Sequence, residues 1–561
     1  MLNIMKNFKI NTYLWGMAIG LLPLAAASCS DTWDDHYDTP ASGRGTLWET
    51  IGQDASLSHF AAVVKGCGYD RALAGSQNYT VFALTNDGLS QHQADSLVAA
   101  YREQKAAGVR DNDNTVVRQF LQNHIALYRH SVSSLTNDSV TMLNGKYEPM
   151  TPNAVGGSDF VSTNTACSNG VLYTVGKRIS YFPNVLEYMG MDASLDSAYQ
   201  FINSYSSYTF NVSASVPGDI VDGKTVYLDS VMDMHNDFLQ AINASLNAED
   251  STYTVVVPDN DTWSKLYGTY KSYFAYDRNV TKRDSLQRVM AGEALLGGAA
   301  FSMNVNQKAA LADSVTSTSF FGSIFSYRPN DDKTYKYYRF YHPYEAGGVF
   351  YGAKAVRCSN GQVLKGGPWN IKPEQTFVQE IKVECEIQEY IDTIANAVEP
   401  LTNYNVPTDN SFYGSISSHA FAEVKAASGK EGEFPSPMVR YNIPRLLSNV
   451  PYDIYVVFAP IRAYDAYASA DDMLPSRVRF QLNWYNMDHK KQQRRLKTVV
   501  TDPAKADTVT VATKLSFPTT TFGLTDHNVT LSLYSAVNRN QTATYSNDFR
   551  IDCIIFRPHR D

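Results

Sequence analysis

Charge is scarce in this sequence. Only 19% of its 561 residues are Asp, Glu, Lys or Arg, while 44% are hydrophobic. That balance excludes a largely disordered chain, because ample apolar surface is available to bury. A basic excess is also missing. The formal net charge is −8, so there is no cationic stripe to neutralise phosphates, and nucleic acid is not an expected partner. Cysteine is sparse, with six residues scattered along the chain. This excludes a disulfide scaffold and a structural zinc framework. No second apolar run follows the one near the N-terminus. Signatures of chemistry are absent too: there is no Gly-x-Ser-x-Gly elbow, His-Glu-x-x-His, phosphate loop or dinucleotide glycine pattern. No catalytic residue, cofactor or metal is expected. Asp233, His235 and Asp237 alternate, which on a strand would place them on one face, but they lack a calcium-loop pattern. Carboxylate pairs for glycan hydrolysis come from distant positions, and spacing does not exclude them.

Tyrosine is plentiful, at 37 residues against 26 Phe and 6 Trp. Together with abundant Ser, Thr and Asn, this composition points to an extracellular, β-rich protein. The length implies roughly three or four domains.

The first residues read as an address. Lys6 and Lys9 precede an apolar run over 14–27, broken by Pro23. The run has secretory-signal proportions and is short for a membrane span. Ala25, Ala26, Ala27 and Ser28 lead into Cys29, which resembles a bacterial lipobox with Ala26 at the usual Leu position. The resemblance implies cleavage before Cys29, a diacylglycerol on its thiol, and membrane association by that lipid anchor only. Cleavage would remove two lysines and no acid, leaving a still more acidic body. The acidic segment 30–36 resembles an export tag that sends lipoproteins to the outer face of glycan-foraging Gram-negative bacteria. The expected location is the outer membrane, lipid-anchored and exposed at the cell surface.

Three anchors recur in order. Asp54-Ala55-Ser56-Leu57 returns as Asp192-Ala193-Ser194-Leu195. Tyr79-Thr80-Val81 with Asn86-Asp87 returns as Tyr253-Thr254-Val255 with Asn260-Asp261. Cys167-Ser168-Asn169-Gly170 returns as Cys358-Ser359-Asn360-Gly361. Ordered recurrence at growing offsets predicts two related globular domains, the second enlarged by insertions. Leu47, Ile51, Leu57, Phe60 and Val64 are at mostly helical spacing. Tyr79 to Phe82 is a strand, and Thr85-Asn86-Asp87 can cap a helix. Val117, Phe120, Leu121, His124 and Leu127 predict a helix over 116–128. Asn169-Gly170 makes a turn into the strand that follows.

This set resembles the fasciclin domain. Thr80 to Asn86 matches its first box with Leu84 in place of Pro, and Asn169 to Val175 matches its second. Its central Tyr-His pair corresponds to Asn123-His124, with the Tyr missing. In the second copy Thr254 to Asn260 and Asn360 to Leu364 stand for the boxes, and Glu293 or a neighbour replaces the His. The resemblance implies adhesion, or matrix and glycan interaction, without an active site. His124, on an apolar helix face, reads as a core histidine satisfied by backbone rather than as a ligand contact.

From residue 375 the pattern changes to short alternating strands joined by Pro, Gly, Asn and Asp turns, which predicts a β-sandwich of jelly-roll type. It resembles galactose-binding-like carbohydrate-binding modules, in which Val383-Glu384 would pair with Arg550-Ile551-Asp552. A sugar site needs aromatic faces and polar groups. The candidates are Tyr464, Asp465, Tyr467, Trp484, Tyr485 and Asn486, against the alternative that Trp484 is core and the tyrosines are loop surface. The basic run 489–495 reads as a solvated hairpin tip. Cys167 and Cys358 occupy equivalent repeat positions, and both are expected to be buried. Asp followed by Ser or Thr and an aliphatic residue, as at Ser96, Ser197 and Thr508, resembles an O-glycosylation acceptor of the same bacteria.

The expected fold class is therefore α+β tandem fasciclin-like domains followed by an all-β jelly-roll sandwich, behind a lipoprotein signal peptide. The expected order is signal 1–28, tether 29–45, first domain 46–182, second domain 183–372 and sandwich 375–561. The expected function is surface adhesion or glycan binding beside an outer-membrane polysaccharide uptake system, with a glycan or the transporter complex as partner. A protein–protein adhesin without sugar binding and a cryptic hydrolase are the alternatives.

Overall fold

The computed structural model describes residues 45–132, 138–213, 215–221, 224–229, 232–302, 313–320, 336–429, 433–469, 472–524 and 528–560. Cys29, the signal and nearly all of the tether lie outside the described residues.

The first unit is built on two parallel strands, Tyr79–Leu84 and Gly170–Val175, paired from Tyr79↔Gly170 to Leu84↔Val175. All six residues of each strand are buried. Parallel pairs covered on both faces need such continuous burial. They lie within a seven-stranded sheet, with Ile125–Leu127 on one side and Ser158–Cys167 leading to three short strands on the other. Helices Leu47–Gln53 and Ser58–Gly66 contribute Leu47, Ile51, Phe60, Val63 and Val64 to the core. The helix predicted over 116–128 is shorter. A π turn at Val117–Leu121 and a 3-10 turn at Gln122–His124 hand over to the strand Ile125–Leu127, which pairs with Tyr79–Val81. The β-branched Ile125 and its sheet partner override the helical periodicity.

The second unit repeats this plan. Tyr253–Val256 and Gly361–Lys365 run parallel from Tyr253↔Gly361, inside a six-stranded sheet. The sequence anchors are equivalent atom by atom. Asn169 Oδ1 accepts from the Leu47 amide (2.7 Å), and its Nδ2 donates to Leu73 O and Gly75 O. Asn360 Oδ1 accepts from the Val185 amide (2.8 Å), and its Nδ2 donates to Leu246 O and Ala248 O. Each Asn thus ties the unit's first helix to the loop before its first central strand. The glycine that follows is required by close approach. A Cβ would fall 2.1 Å from Tyr79 O at Gly170 and 1.8 Å from Tyr253 O at Gly361. Cys167 and Cys358 are both buried, and each Sγ donates to the carbonyl two residues back, at 3.8 Å. All five cysteines in the described residues are buried free thiols.

Insertions explain the second unit's length. Ser206–Phe210 pairs with Met232–Asn236, and Val216–Val221 with Lys224–Asp229, as two separate ribbons. Asp233 and His235 lie on the first ribbon, but Asp237 opens the helix Asp237–Ala241, so the three do not share a strand face. His235 Nε2 lies 3.0 Å from Asp237, while Asp233 accepts from Asn211.

The last unit is a sandwich of two antiparallel sheets. One sheet orders Thr402–Asn405, Ala420–Val424, Phe549–Pro558, Tyr452–Phe458 and Asp507–Leu515, with Ile381–Glu384 also on Phe549–Pro558. The other orders Ile391–Ala395, Met438–Asn442, Val529–Ser535, Arg477–Tyr485 and Lys491–Val500. Val383-Glu384 does pair with the final strand, but with Ile554 and Cys553 rather than with Arg550-Ile551-Asp552, of which Arg550 and Ile551 pair with Glu423 and Ala422. The basic run 489–495 is not a hairpin tip. The turn ends at Lys490, and Lys491–Val500 is a ten-residue edge strand. Its lack of apolar alternation conceals the strand, because Arg477–Tyr485 supplies the register.

The units are locked together. Between the first and second, Lys146 Nζ reaches Glu187 Oε2 (2.8 Å) and Glu249 Oε1 (2.5 Å), and Arg118 pairs with the other Glu187 oxygen. Burial alone would raise the Glu187 pKa, but the charges of Lys146 and Arg118 hold it down at about 2. Between the second unit and the sandwich, Phe274 packs on Phe377 and Phe522. Amides of Ser448, Thr520 and Arg278 donate to Tyr273 O, Ala275 O and Met487 O. One apolar core runs from Val185 through to Phe556.

Candidate functional site

The outward face of the second sheet is polar and well ordered. On Arg477–Tyr485 the even residues Val478, Phe480 and Leu482 enter the core, so Arg479, Gln481, Asn483 and Tyr485 face out. The same alternation sends Thr530, Ser532 and Tyr534 outward between Val529, Leu531 and Leu533. Asn483 Nδ2 reaches Thr530 Oγ1 (3.3 Å) and Ser532 Oγ (3.5 Å). Gln481 Nε2 donates to Asn483 Oδ1 (3.0 Å) and Gln493 Oε1 (3.3 Å). Arg440 Nε donates to Ser532 Oγ (3.0 Å), and its Nη1 to Asp392 (3.2 Å). The Arg479 guanidinium sits over the Tyr534 ring at 4.7 Å. The result is a row of donors and acceptors fixed by one another, in which Ser532, Asn483 and Thr530 are buried, Gln481 and Arg440 half-buried and Gln493 exposed.

The six residues expected from sequence do not form one site. Tyr464, Asp465 and Tyr467 follow Tyr452–Phe458 at the end of the sandwich remote from the second unit. Trp484, Tyr485 and Asn486 end Arg477–Tyr485 at the opposite end, where Met487 O receives the Arg278 amide. The Trp484 ring turns inward and meets Phe517 edge-on at 6.2 Å. Tyr485 does lie on the polar face, stacked on His489 at 4.4 Å. Asn486 closes the turn, its Oδ1 accepting from the Asp488 and Lys490 amides.

At the remote end Tyr464 joins residues that sequence reasoning missed. Its ring centroid is 4.1 Å from that of Tyr404, whose Oη donates to Glu423 Oε2 (3.2 Å). Glu423 pairs with Arg550 at 2.8 Å, and Arg550 borders a shallow cleft with Asp472, Thr501 and Asp502. Tyr464 is 53% exposed and Tyr467 96% exposed, while Asp465 Oδ1 accepts from the Tyr467 amide.

Asn123 and His124 are fully buried. His124 Nδ1 lies 2.7 Å from Phe120 O, and the Ile179 amide donates to Nε2 at 3.1 Å. Burial pushes the His124 pKa down to about 4, so it is a neutral clamp between the turn and the chain leaving the second box. Asn123 Nδ2 donates to Ile179 O, and its Oδ1 accepts from Asn144.

One cluster has the atoms for a small cation. Ligand atoms of Glu384, Asp552 and Cys553 lie within 4.8 Å of one another. The Ser417 amide donates to Asp552 Oδ1 (3.0 Å), and its Oγ to Glu384 Oε1 (2.6 Å). Burial raises Asp552 to about 7, so near neutrality this is a hydrogen-bonded buried acid group.

Comparison with known proteins places the first unit. Residues 55–180 match the Fasciclin domain family. The matched residues fall within the first unit, whose α+β plan is that described above. No curated protein matches the chain in sequence. Among solved structures, a FAS1 domain pair from the insect cell adhesion molecule Fasciclin I is 15% identical, covering 55% of this chain and 94% of that one, with a TM-score of 0.18. The CBM22-1 xylan-binding domain of Paenibacillus barcinonensis Xyn10C is 11% identical, covering 33% and 95%, with a TM-score of 0.20. The mannan-recognising module TmCBM27 is 9% identical, covering 32% and 96%, with a TM-score of 0.17.

Proposed function

We infer that this protein is a non-enzymatic glycan-binding protein whose sugar site is the outward face of the second sandwich sheet. The observation that carries this reading is the hydrogen-bonded row Gln481–Asn483–Thr530/Ser532–Arg440. Hydroxyl-rich ligands are recognised by donors and acceptors already held in place, because little ordering entropy is then lost on binding. Two fasciclin-like units would carry the sandwich away from a membrane to which a lipid on Cys29 attaches the chain, beside a polysaccharide uptake system in the outer membrane.

The test is affinity electrophoresis of the full mature chain in gels containing single polysaccharides. The full chain is needed because the sandwich shares its core with the second unit. Retardation that is lost in Asn483→Ala and Gln481→Ala supports the reading. No retardation in any gel overturns it. A protein partner is the second reading, favoured by the exposed Tyr464 and Tyr467. Co-purification of a transporter that Tyr467→Ala abolishes would support it. Membrane retention of Cys29→Ser would overturn the lipid anchor.

A further inference from the structure

The polar face is bordered by cations that form no ion pair among the described residues. Arg477 and Arg479 alternate with Val478 and Phe480 and so project outward. Across the strand pair, Arg495 lies opposite Gln481 and Lys491 opposite Tyr485. Arg494 and Lys497 are also exposed on this edge strand, but Arg494 stands opposite core-facing Leu482 and so lies on the other side of the sheet. None of these six is ion-paired among the described residues, whereas Arg440, on the neighbouring strand, has Asp392. Asp277 is turned to His489 at 3.2 Å, and Asp488 stands in the turn that joins the two strands.

Four positive charges on this face, Arg477, Arg479, Lys491 and Arg495, stand out in a chain of net charge −8. Like charges on neighbouring residues repel, and edge-strand protection accounts for Lys491 and Arg495 but not for Arg477 and Arg479, which lie on an interior strand. Guanidinium groups present paired donors that match carboxylate and sulfate oxygens. Between them stand the half-buried Gln481 and the exposed Gln493, which suit sugar hydroxyls. The two rings on the face are already occupied, Tyr534 by Arg479 and Tyr485 by His489. No free ring is left to stack on nucleic-acid bases.

We propose that the ligand of this face is an anionic polysaccharide, one whose chain carries carboxylate or sulfate groups. This rests on the glycan-binding reading and narrows it to a substrate class.

The experiment compares the full mature chain on polygalacturonate, chondroitin sulfate, neutral xylan, neutral mannan and single-stranded DNA, at low and at high salt. The expected result is retardation by an anionic polysaccharide that weakens as salt rises. The double variant Arg479→Gln/Arg495→Gln should lose at least about tenfold in affinity, with the melting temperature lowered by no more than about 2–4 °C. Arg110→Gln, in the first unit, should behave as wild type. Binding to a neutral polysaccharide alone, or binding that the double variant leaves intact, overturns this inference and leaves the glycan reading standing. Equal retention by DNA overturns it as well, since the face would then be a general polyanion surface. No binding to any polysaccharide overturns both.

Discussion

Arg479 and Tyr534 face each other directly across two strands, the guanidinium 4.7 Å from the ring centroid. A cation held over an exposed ring gains roughly 0.5–1 kcal/mol, and the geometry also fixes where the guanidinium points. Tyr534→Ala should therefore lower glycan affinity severalfold while reducing unfolding free energy by only about 1 kcal/mol. Tyr534→Phe should keep both. Isothermal titration against the best-retarding polysaccharide, with urea unfolding alongside, separates the two effects. An alanine variant with wild-type affinity would remove Tyr534 from the site.

A buried lysine joins the first two units. Lys146 is 2% exposed and faces two carboxylates. Removing one member of a buried ionic group leaves the others uncompensated, at a cost of about 3–5 kcal/mol. Lys146→Ala should destabilise the chain by that order in denaturant unfolding. It should also expose the linker around residues 176–184 to protease, while Lys105→Ala, at an exposed pair, should change little. The Glu187 charge adds an acid limb. Its folded pKa of about 2 lies below the unfolded value. This contribution is present above the ordinary glutamate range and is lost as pH falls through about 2.

Much of the fold was legible because its anchors are residue-specific. Asn-Gly recurs since one amide must reach three backbone groups and the next residue can carry no Cβ, and few other pairs satisfy both demands. Alternation in Val478 to Trp484 also marked a half-buried strand. The site was not legible in the same way. Arg440, Gln481, Gln493 and Ser532 come from four strands, and only the register Gln481↔Ser532 and Gln481↔Arg495 brings three of those strands together. Trp484 drew attention as an aromatic, yet strand parity sends it inward. The ring chemistry at the remote end depends on Tyr404, on a strand far from Tyr464 in sequence.

A buried acid in the second unit makes stability depend on pH in the opposite sense. Glu293 is 8% exposed, accepts from Tyr205 Oη at 3.0 Å, and has no hydrogen-bond partner for Oε2. Burial raises its pKa to about 8. A carboxyl with a raised folded pKa contributes its full stability below the unfolded value, and that contribution is lost as pH rises through about 8. The melting temperature should therefore decline from the ordinary glutamate range up to about pH 8, with no further contribution from this group above it. Glu293→Gln, which stays neutral, should flatten that decline. An unchanged pH profile in the variant would place the titration elsewhere.

Two glycines of the second unit should respond to alanine with opposite signs. At Gly361 a Cβ would sit 1.8 Å from Tyr253 O, inside the parallel pair that organises the unit. The strands would have to part, so Gly361→Ala should cost several kcal/mol, in the range of overpacked core substitutions and above. Gly268 lies within the helix Asn260–Ser272, and nothing approaches its Cβ position within 4 Å. There alanine only restricts the unfolded chain and favours the helix, so Gly268→Ala should stabilise by about 0.5–1 kcal/mol. Because the second unit and the sandwich share one core, both changes should shift a single unfolding transition that also reports on the sandwich tryptophan, Trp484. A Gly361→Ala protein that unfolds the second unit separately, with Trp484 fluorescence unaffected, would show that the shared core does not couple them.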